Sequence, residues 1–190
     1  MSTPFSFSHY LAAHARLADA LDAEAFQRGI EVVRTAFERG SQVITCGNGG
    51  SAHTASHYIT DWSKAITLAT GKPFRGISLC DNSGIVTALA NDLAYEEIFS
   101  GQLKAVLNPG DLVIAISGSG NSKNVVRAIE YANQSGAETL AVVGYDGGAL
   151  KRLATHVVWV PCFDMQLCEE VHLMFGHMVM KALCGTSIED

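Results

Sequence analysis

His57 and Asp61 stand four residues apart, so a helix through them places both on one face. An imidazole and a carboxylate at that spacing can share a divalent ion or move a proton. A plain surface hydrogen bond is the simpler alternative. His53, one turn earlier, extends the stripe to His53-His57-Asp61. Near the other end of the chain, Glu169, Glu170, His172 and His177 fall within an apolar, helix-like stretch from Met165 to Leu183. Ionisable groups among Val171, Leu173, Met174, Phe175, Met178, Val179 and Met180 need partners. A satisfied core histidine is the simpler reading of His172 or His177 alone, and Glu169 can pair locally with His172. Glu169 and His177 lie eight residues apart, ~12 Å of helical rise. They reach one ion only if the chain bends near Glu169 or the site crosses a subunit boundary.

Two loops have the chemistry of an anion cradle. The apolar run Val43–Cys46 meets Gly47-Asn48-Gly49-Gly50-Ser51, and the run Leu112–Ser117 meets Gly118-Ser119-Gly120-Asn121-Ser122. Glycines let the backbone approach a ligand, hydroxyls donate to it, and the free N–H groups of a following helix favour negative charge. A polar turn with a Ser or Asn helix cap is the alternative for each loop. Neither is a Walker A loop, because the Gly-Lys-Ser/Thr ending is absent, and Gly118–Lys123 lacks the last glycine of the dinucleotide fingerprint. Asn91-Asp92 reads as a turn or as a carboxylate presented to a sugar hydroxyl. Asp146-Gly147-Gly148 reads as a turn, and Trp62, Trp159 and the phenylalanines read as core.

These groups need a scaffold that brings strand ends together. Helical patterns open the chain over Phe7–Leu21 and Ala23–Arg39, the second with Phe26, Ile30, Val33 and Phe37 on one stripe and Gly40 as its stop. Strand candidates recur at Val43–Cys46, Gly76–Cys80, Leu112–Ser117, Thr139–Val143 and Val157–Val160. Between them lie the helix-like stretches Ser51–Ile66, Ser83–Ala90 with Tyr95–Val106, Ser122–Ser135 and Gly148–Leu153. Such alternation predicts an α/β fold: a three-layer, doubly wound parallel sheet, with two extra helices in front that cover it or mediate assembly. In that architecture ligands bind at the carboxyl ends of the strands.

The 190 residues are enough for one sizeable core, and the chain is 48% hydrophobic and 17% charged, as in an ordinary folded domain. A net charge of -6 with no Lys/Arg cluster argues against nucleic acid or a membrane surface as partner. No apolar run is long enough to span a bilayer, and the first residues lack the pattern of a secretory signal. Five scattered cysteines with no CxxC fit reduced thiols in a cytoplasm better than a disulfide framework.

Taken together, CGNGGS with His57 and Asp61, then NDLAYEEIFSGQL, AISGSGNSKNV, VVGYDGG and EEVHLMFGHMVM resemble the phosphoheptose isomerases of the SIS-domain class. The motifs occur in family order over nearly the whole chain. The resemblance implies one SIS domain over residues 1–190 with a five-stranded parallel sheet, and a homotetramer with active sites at subunit interfaces. It also implies conversion of sedoheptulose 7-phosphate to glycero-manno-heptose 7-phosphate through an enediol(ate). By position, Asn48, Gly49, Gly50 and Ser51 match the first substrate loop, and Asn91 and Asp92 match the family's Asn-Asp pair. Ser117, Gly118, Ser119 and Ser122 match its phosphate loop. His57, Asp61, Glu169 and His177 match four positions that hold a divalent metal, usually zinc. Glu169 also counts among the substrate contacts, and Asp61 and His177 match the acid/base pair.

The chain departs from the family pattern in several places. The family usually has Glu at position 61, Gln at 169 and Thr at 118. An Arg that usually follows the Glu corresponds here to Ala65, beside Lys64. Two other roles fit the same scaffold: a non-catalytic SIS protein of the kind that binds a bacterial replication initiator, or a sugar-phosphate sensor. Retention of both histidines and two carboxylates at the four positions favours the enzyme.

Overall fold

Five apolar runs form strands, and all pair in parallel. They are β1 (Val43–Gly47), β2 (Gly76–Ser78), β3 (Leu112–Ser117), β4 (Glu138–Val143) and β5 (His156–Trp159), in the order β2-β1-β3-β4-β5. A computed structural model describes residues 6–186. Expectations for residues 1–5 and 187–190, including the start of the segment read as lacking a signal, fall outside the described residues. Every residue of β1 and β3 is buried, as parallel strands covered on both faces must be. Leu112, Ile114 and Ile116 point into one core, and Val113 and Ala115 into the other.

The helices are α1 (Phe7–Asp19), α2 (Ala23–Arg39), α3 (Gly50–Asp61), α4 (Thr67–Thr70), α5 (Ser83–Asp92), α6 (Ser100–Val106), α7 (Lys123–Gln134), α8 (Leu150–Leu153) and α9 (Met165–Cys184). Phe26 and Val33 of α2, Tyr58 of α3 and Phe175 of α9 fill the first core. Leu103, Ala128, Ile129 and Leu150 of α6, α7 and α8 fill the second. The three layers of the expected doubly wound fold are therefore present. Asp22 caps α2 by accepting from the Ala25 N–H at 3.0 Å, and Gly40, with φ 74°, ends it. That helix is an integral part of its layer, whereas α1 buries only Leu17.

Two details differ from the sequence pattern. The helix through His57 does not run regularly to Ile66: a π-helical turn, Trp62–Ile66, begins directly after Asp61. Not every aromatic is core either. Trp62 is fully buried, but Phe7 and Phe163 are 72% and 76% exposed. Phe163 instead stacks on Tyr145, ring centroids 5.5 Å apart. The cysteines are free, and no helix among the described residues is long and apolar enough to cross a membrane.

Between β1 and β3 the strand order changes direction, and the loops following those two strands open a crevice there. They are Asn48–Gly49 and Gly118–Ser122, the two cradles singled out by sequence.

Candidate active site

Tyr58 of α3 and Trp62, the first residue of the π-helical turn, fix the register of this segment against α9. The Tyr58 hydroxyl donates to the His172 carbonyl, and Trp62 Nε1 donates to the Gly176 carbonyl at 2.9 Å. Donors and acceptors are each spaced i, i+4, so the bonds form two successive rungs. Gly176 makes this approach possible, because a Cβ there would overlap the Tyr58 ring. The chain neighbours of these residues, His57, Asp61 and His177, come together beside the same seam.

His57 Nε2 lies 3.1 Å from His177 Nε2 and 3.2 Å from Asp61 Oδ2, and His177 Nε2 lies 3.7 Å from the same oxygen. Each histidine side chain is 44% exposed and that of Asp61 24%, so the cluster is open to a ligand. Zinc bonds of about 2.0–2.2 Å in a tetrahedron place ligand atoms ~3.3 Å apart, within the range of the observed separations. Converging lone pairs on two imidazoles and a carboxylate also repel one another unless a proton or cation lies between them. The three residues thus form a donor set that can hold a divalent metal ion, with room left for a further ligand.

Within one chain Glu169, the fourth expected ligand, stands apart from this cluster. The helix α9 is unbroken from Met165 to Cys184, so the rise between Glu169 and His177 is retained. Its carboxylate lies over Gly50, where an added Cβ would come within 2.6 Å of Glu169 Oε2. That is the first turn of α3, where free N–H groups and the helix dipole favour an anion. The first cradle therefore already faces a carboxylate of the chain itself. His53 turns toward the same loop, its Nδ1 3.0 Å from the Gly49 carbonyl.

His172 is neither paired with Glu169 nor satisfied elsewhere. It is buried, neither ring nitrogen makes a well-formed hydrogen bond, and desolvation, partly offset by the nearby Val143 backbone, holds its pKa down to about 4.

The second cradle borders a cavity of about 190 Å³, with Ser51, Ser117, Ser119, Ser122, Tyr145 and Glu169 on its walls. Ser117 Oγ accepts from the Gly120 N–H at 3.1 Å, which shapes the loop. Ser122 precedes α7 but makes no side-chain cap bond, so its hydroxyl can turn to a ligand. At Gly118 an added Cβ would meet nothing within 4 Å. Asn48 also lines this cavity, held by the Asn124 side chain and the Tyr95 hydroxyl, each at 2.9 Å.

Asn91 and Asp92 form the last turn of α5 rather than a separate turn, and there they bond to each other at 2.8 Å. Both are exposed, and neither lines the cavities described here. The helix carrying them buries none of its residues.

Three site residues lie within the quoted motifs but are given no role by the sequence reading. Asn124 is a buried amide 76 residues from its partner Asn48. Tyr95 sits on a 3-10 turn, Tyr95–Glu97, inside the NDLAYEEIFSGQL motif, which gives it no role. Tyr145 follows β4 with φ 49°, a left-handed backbone rare outside glycine. The adjoining Asp146-Gly147-Gly148, in the same VVGYDGG motif, is the turn signal that points to that bend.

A family model described as the SIS domain matches residues 7–144. A phosphoheptose isomerase from Chlorobium phaeobacteroides is 42% identical over 146 residues, 76% of this chain and 65% of that protein. Another from Helicobacter pylori strain P12 is 36% identical over 160 residues, covering 84% of this chain and 83% of that one. The solved structure of a phosphoheptose isomerase from Francisella tularensis matches with a TM-score of 0.87 at 26% identity, covering 95% of each chain.

Proposed function

The chain belongs to the SIS-domain family of phosphoheptose isomerases, enzymes of the phosphosugar-isomerase class, and we propose that it interconverts sedoheptulose 7-phosphate and glycero-manno-heptose 7-phosphate. The observation that carries this reading is the His57–Asp61–His177 cluster beside a hydroxyl-lined cavity at the carboxyl end of the sheet. Ser51 on the cavity wall and His57 in the cluster are six residues apart on α3, ~9 Å of rise. A sugar phosphate can span that separation.

In this reading the Ser117–Ser122 loop and the N-terminus of α7 receive the phosphate. Asp61 takes a proton from one of the two carbons that exchange the carbonyl, and His177 returns or relays one at the other, through an enediol(ate). His57, Asp61 and His177 would hold the divalent metal, zinc in our assignment. When bound, such an ion supplies Lewis-acid stabilisation of negative charge developing on the substrate oxygens. His177 Nε2 has one lone pair, so it would carry the proton in the state in which His57 and Asp61 alone hold the ion. Asp61 has a second oxygen, which leaves one free for proton transfer while the other points into the cluster.

We place Asn48–Ser51, Asn91, Asp92 and Glu169 against the sugar, in one SIS domain that works as a cytoplasmic homotetramer with sites at subunit interfaces. The exposure of α5 supports this assembly: Ile85 and Ala88 are exposed, and Val86, Leu89 and Ala90 are only partly covered by the second core, so a single chain buries none of its residues. A panel of ketose phosphates, assayed for isomerisation with zinc-loaded protein, tests the substrate. Turnover selective for sedoheptulose 7-phosphate is expected. Binding without turnover of any ketose phosphate would favour a sensor or scaffold.

A further inference from the structure

The bonds around Asn48 determine which way its amide faces. The Val125 N–H donates at 3.0 Å to an Asn124 side-chain atom, and because a backbone N–H only donates, that atom is Oδ1. Asn48 Nδ2 donates to the same oxygen at 2.9 Å, and Asn124 Nδ2 donates back to Asn48 Oδ1 at 2.9 Å. The Tyr95 hydroxyl adds a second bond to Asn48 Oδ1, also at 2.9 Å. An amide oxygen has two lone pairs and its nitrogen two hydrogens. Both acceptor positions of Asn48 are therefore taken, together with one of its hydrogens. A single N–H remains. Turning the amide over would set two oxygens against each other and leave the buried Asn124 Nδ2 without an acceptor.

The two residues that impose this orientation are themselves held together. Glu96 pairs with Lys123 at 3.0 Å and with Arg127 at 2.9 Å, and Glu97 pairs with Arg127. These contacts join the turn carrying Tyr95 to the start of α7, which carries Asn124. Asn48 lies between them and lines both the cavity at Ser117–Ser122 and a second one of about 120 Å³ with Gly47, Cys80 and Val86.

We propose that Tyr95 and Asn124 are positioning residues that lock Asn48 as a one-hydrogen donor, so that this point in the cleft binds an acceptor oxygen of the ligand, phosphate or carbonyl, and not a group that must donate. The inference rests on reading the cleft as the sugar-phosphate site.

Two measurements test it. In protein labelled with ¹⁵N at asparagine, the Asn48 side-chain pair is assigned by its loss in Asn48→Asp. Inorganic phosphate is then titrated in. In the wild type, one Asn48 hydrogen should exchange slowly and the other should shift with phosphate. Tyr95→Phe removes one lock from an exposed ring and should leave the fold intact. It should speed exchange of the slow hydrogen and raise KM for sedoheptulose 7-phosphate about threefold to tenfold, with kcat changed less than about twofold. Asn124→Asp, which loses the returned bond, should act in the same direction. Unchanged amide exchange and KM in both variants would overturn the lock. So would an Asn48→Asp protein that binds phosphate as tightly as the wild type. The NMR measurement needs no turnover: an inactive wild type with a locked amide would refute the proposed reaction alone, and an active one with a free amide the lock alone.

Discussion

Trp62 Nε1 bonds the Gly176 carbonyl at 2.9 Å, joining the residue after Asp61 to the residue before His177. Spacing within the cluster therefore depends on how closely α3 and α9 approach, and Gly176 limits that approach. Gly176→Ala should push the helices apart and cost about 1–3 kcal/mol of stability by overpacking. The urea midpoint and the zinc content should both fall relative to wild type. Full stability and full zinc loading in the variant would mean that the seam does not set the cluster.

Glu169 faces both the first turn of α3 and the cavity beside Ser117–Ser122. A carboxylate there favours the helix terminus but repels a phosphate dianion. Glu169→Gln should leave zinc stoichiometry unchanged and tighten inorganic phosphate about threefold to tenfold by calorimetry. It should cost about 0.3–1 kcal/mol of stability through the lost charge at the helix terminus. Loss of zinc in this variant would mean that Glu169 reaches the metal across a subunit boundary.

Buried His172 gives stability a pH dependence of definite sign. Desolvation lowers its pKa from 6.5 to about 4 in the folded chain, so between those values the unfolded chain binds more protons. The resulting contribution is complete above pH ~6.5 and is lost as the pH falls toward ~4, roughly 3 kcal/mol in all. His172→Leu should flatten this part of the profile. Because neither ring nitrogen makes a well-formed hydrogen bond, the variant should be no less stable than wild type at pH 5. Urea midpoints at pH 5 and pH 7.5 check both statements, and an equal drop in the two proteins would contradict them.

Much of this architecture is legible in the sequence because strand ends carry their own punctuation. Val43–Cys46 and Leu112–Ser117 stop at glycine-rich polar loops, and parallel pairing brings those loops to one edge. The i, i+4 spacing of His57 and Asp61 already places them on one face. Their meeting with His177 depends on helix register, set by Tyr58 and Trp62 rather than by any spacing along the chain. For the same reason Glu169 and His177 match family positions yet separate on a straight helix. The Asn48–Asn124 pair is a tertiary contact between short polar side chains, for which sequence has no periodic signal. His172 is buried with no well-formed hydrogen bond beyond a contact with the Val143 backbone, so the rule that buried polar groups are satisfied predicts more than is observed.

The central claim is proton transfer by Asp61 and His177 on a sugar phosphate. It is tested most directly by incubating zinc-loaded protein with sedoheptulose 7-phosphate in D₂O and following deuterium at C1 and C2 by NMR. Wild type should incorporate deuterium while the aldose phosphate accumulates, and correctly folded His177→Gln should lose exchange by at least about a hundredfold. No exchange in the loaded wild type, or wild-type exchange in His177→Gln, would contradict the account.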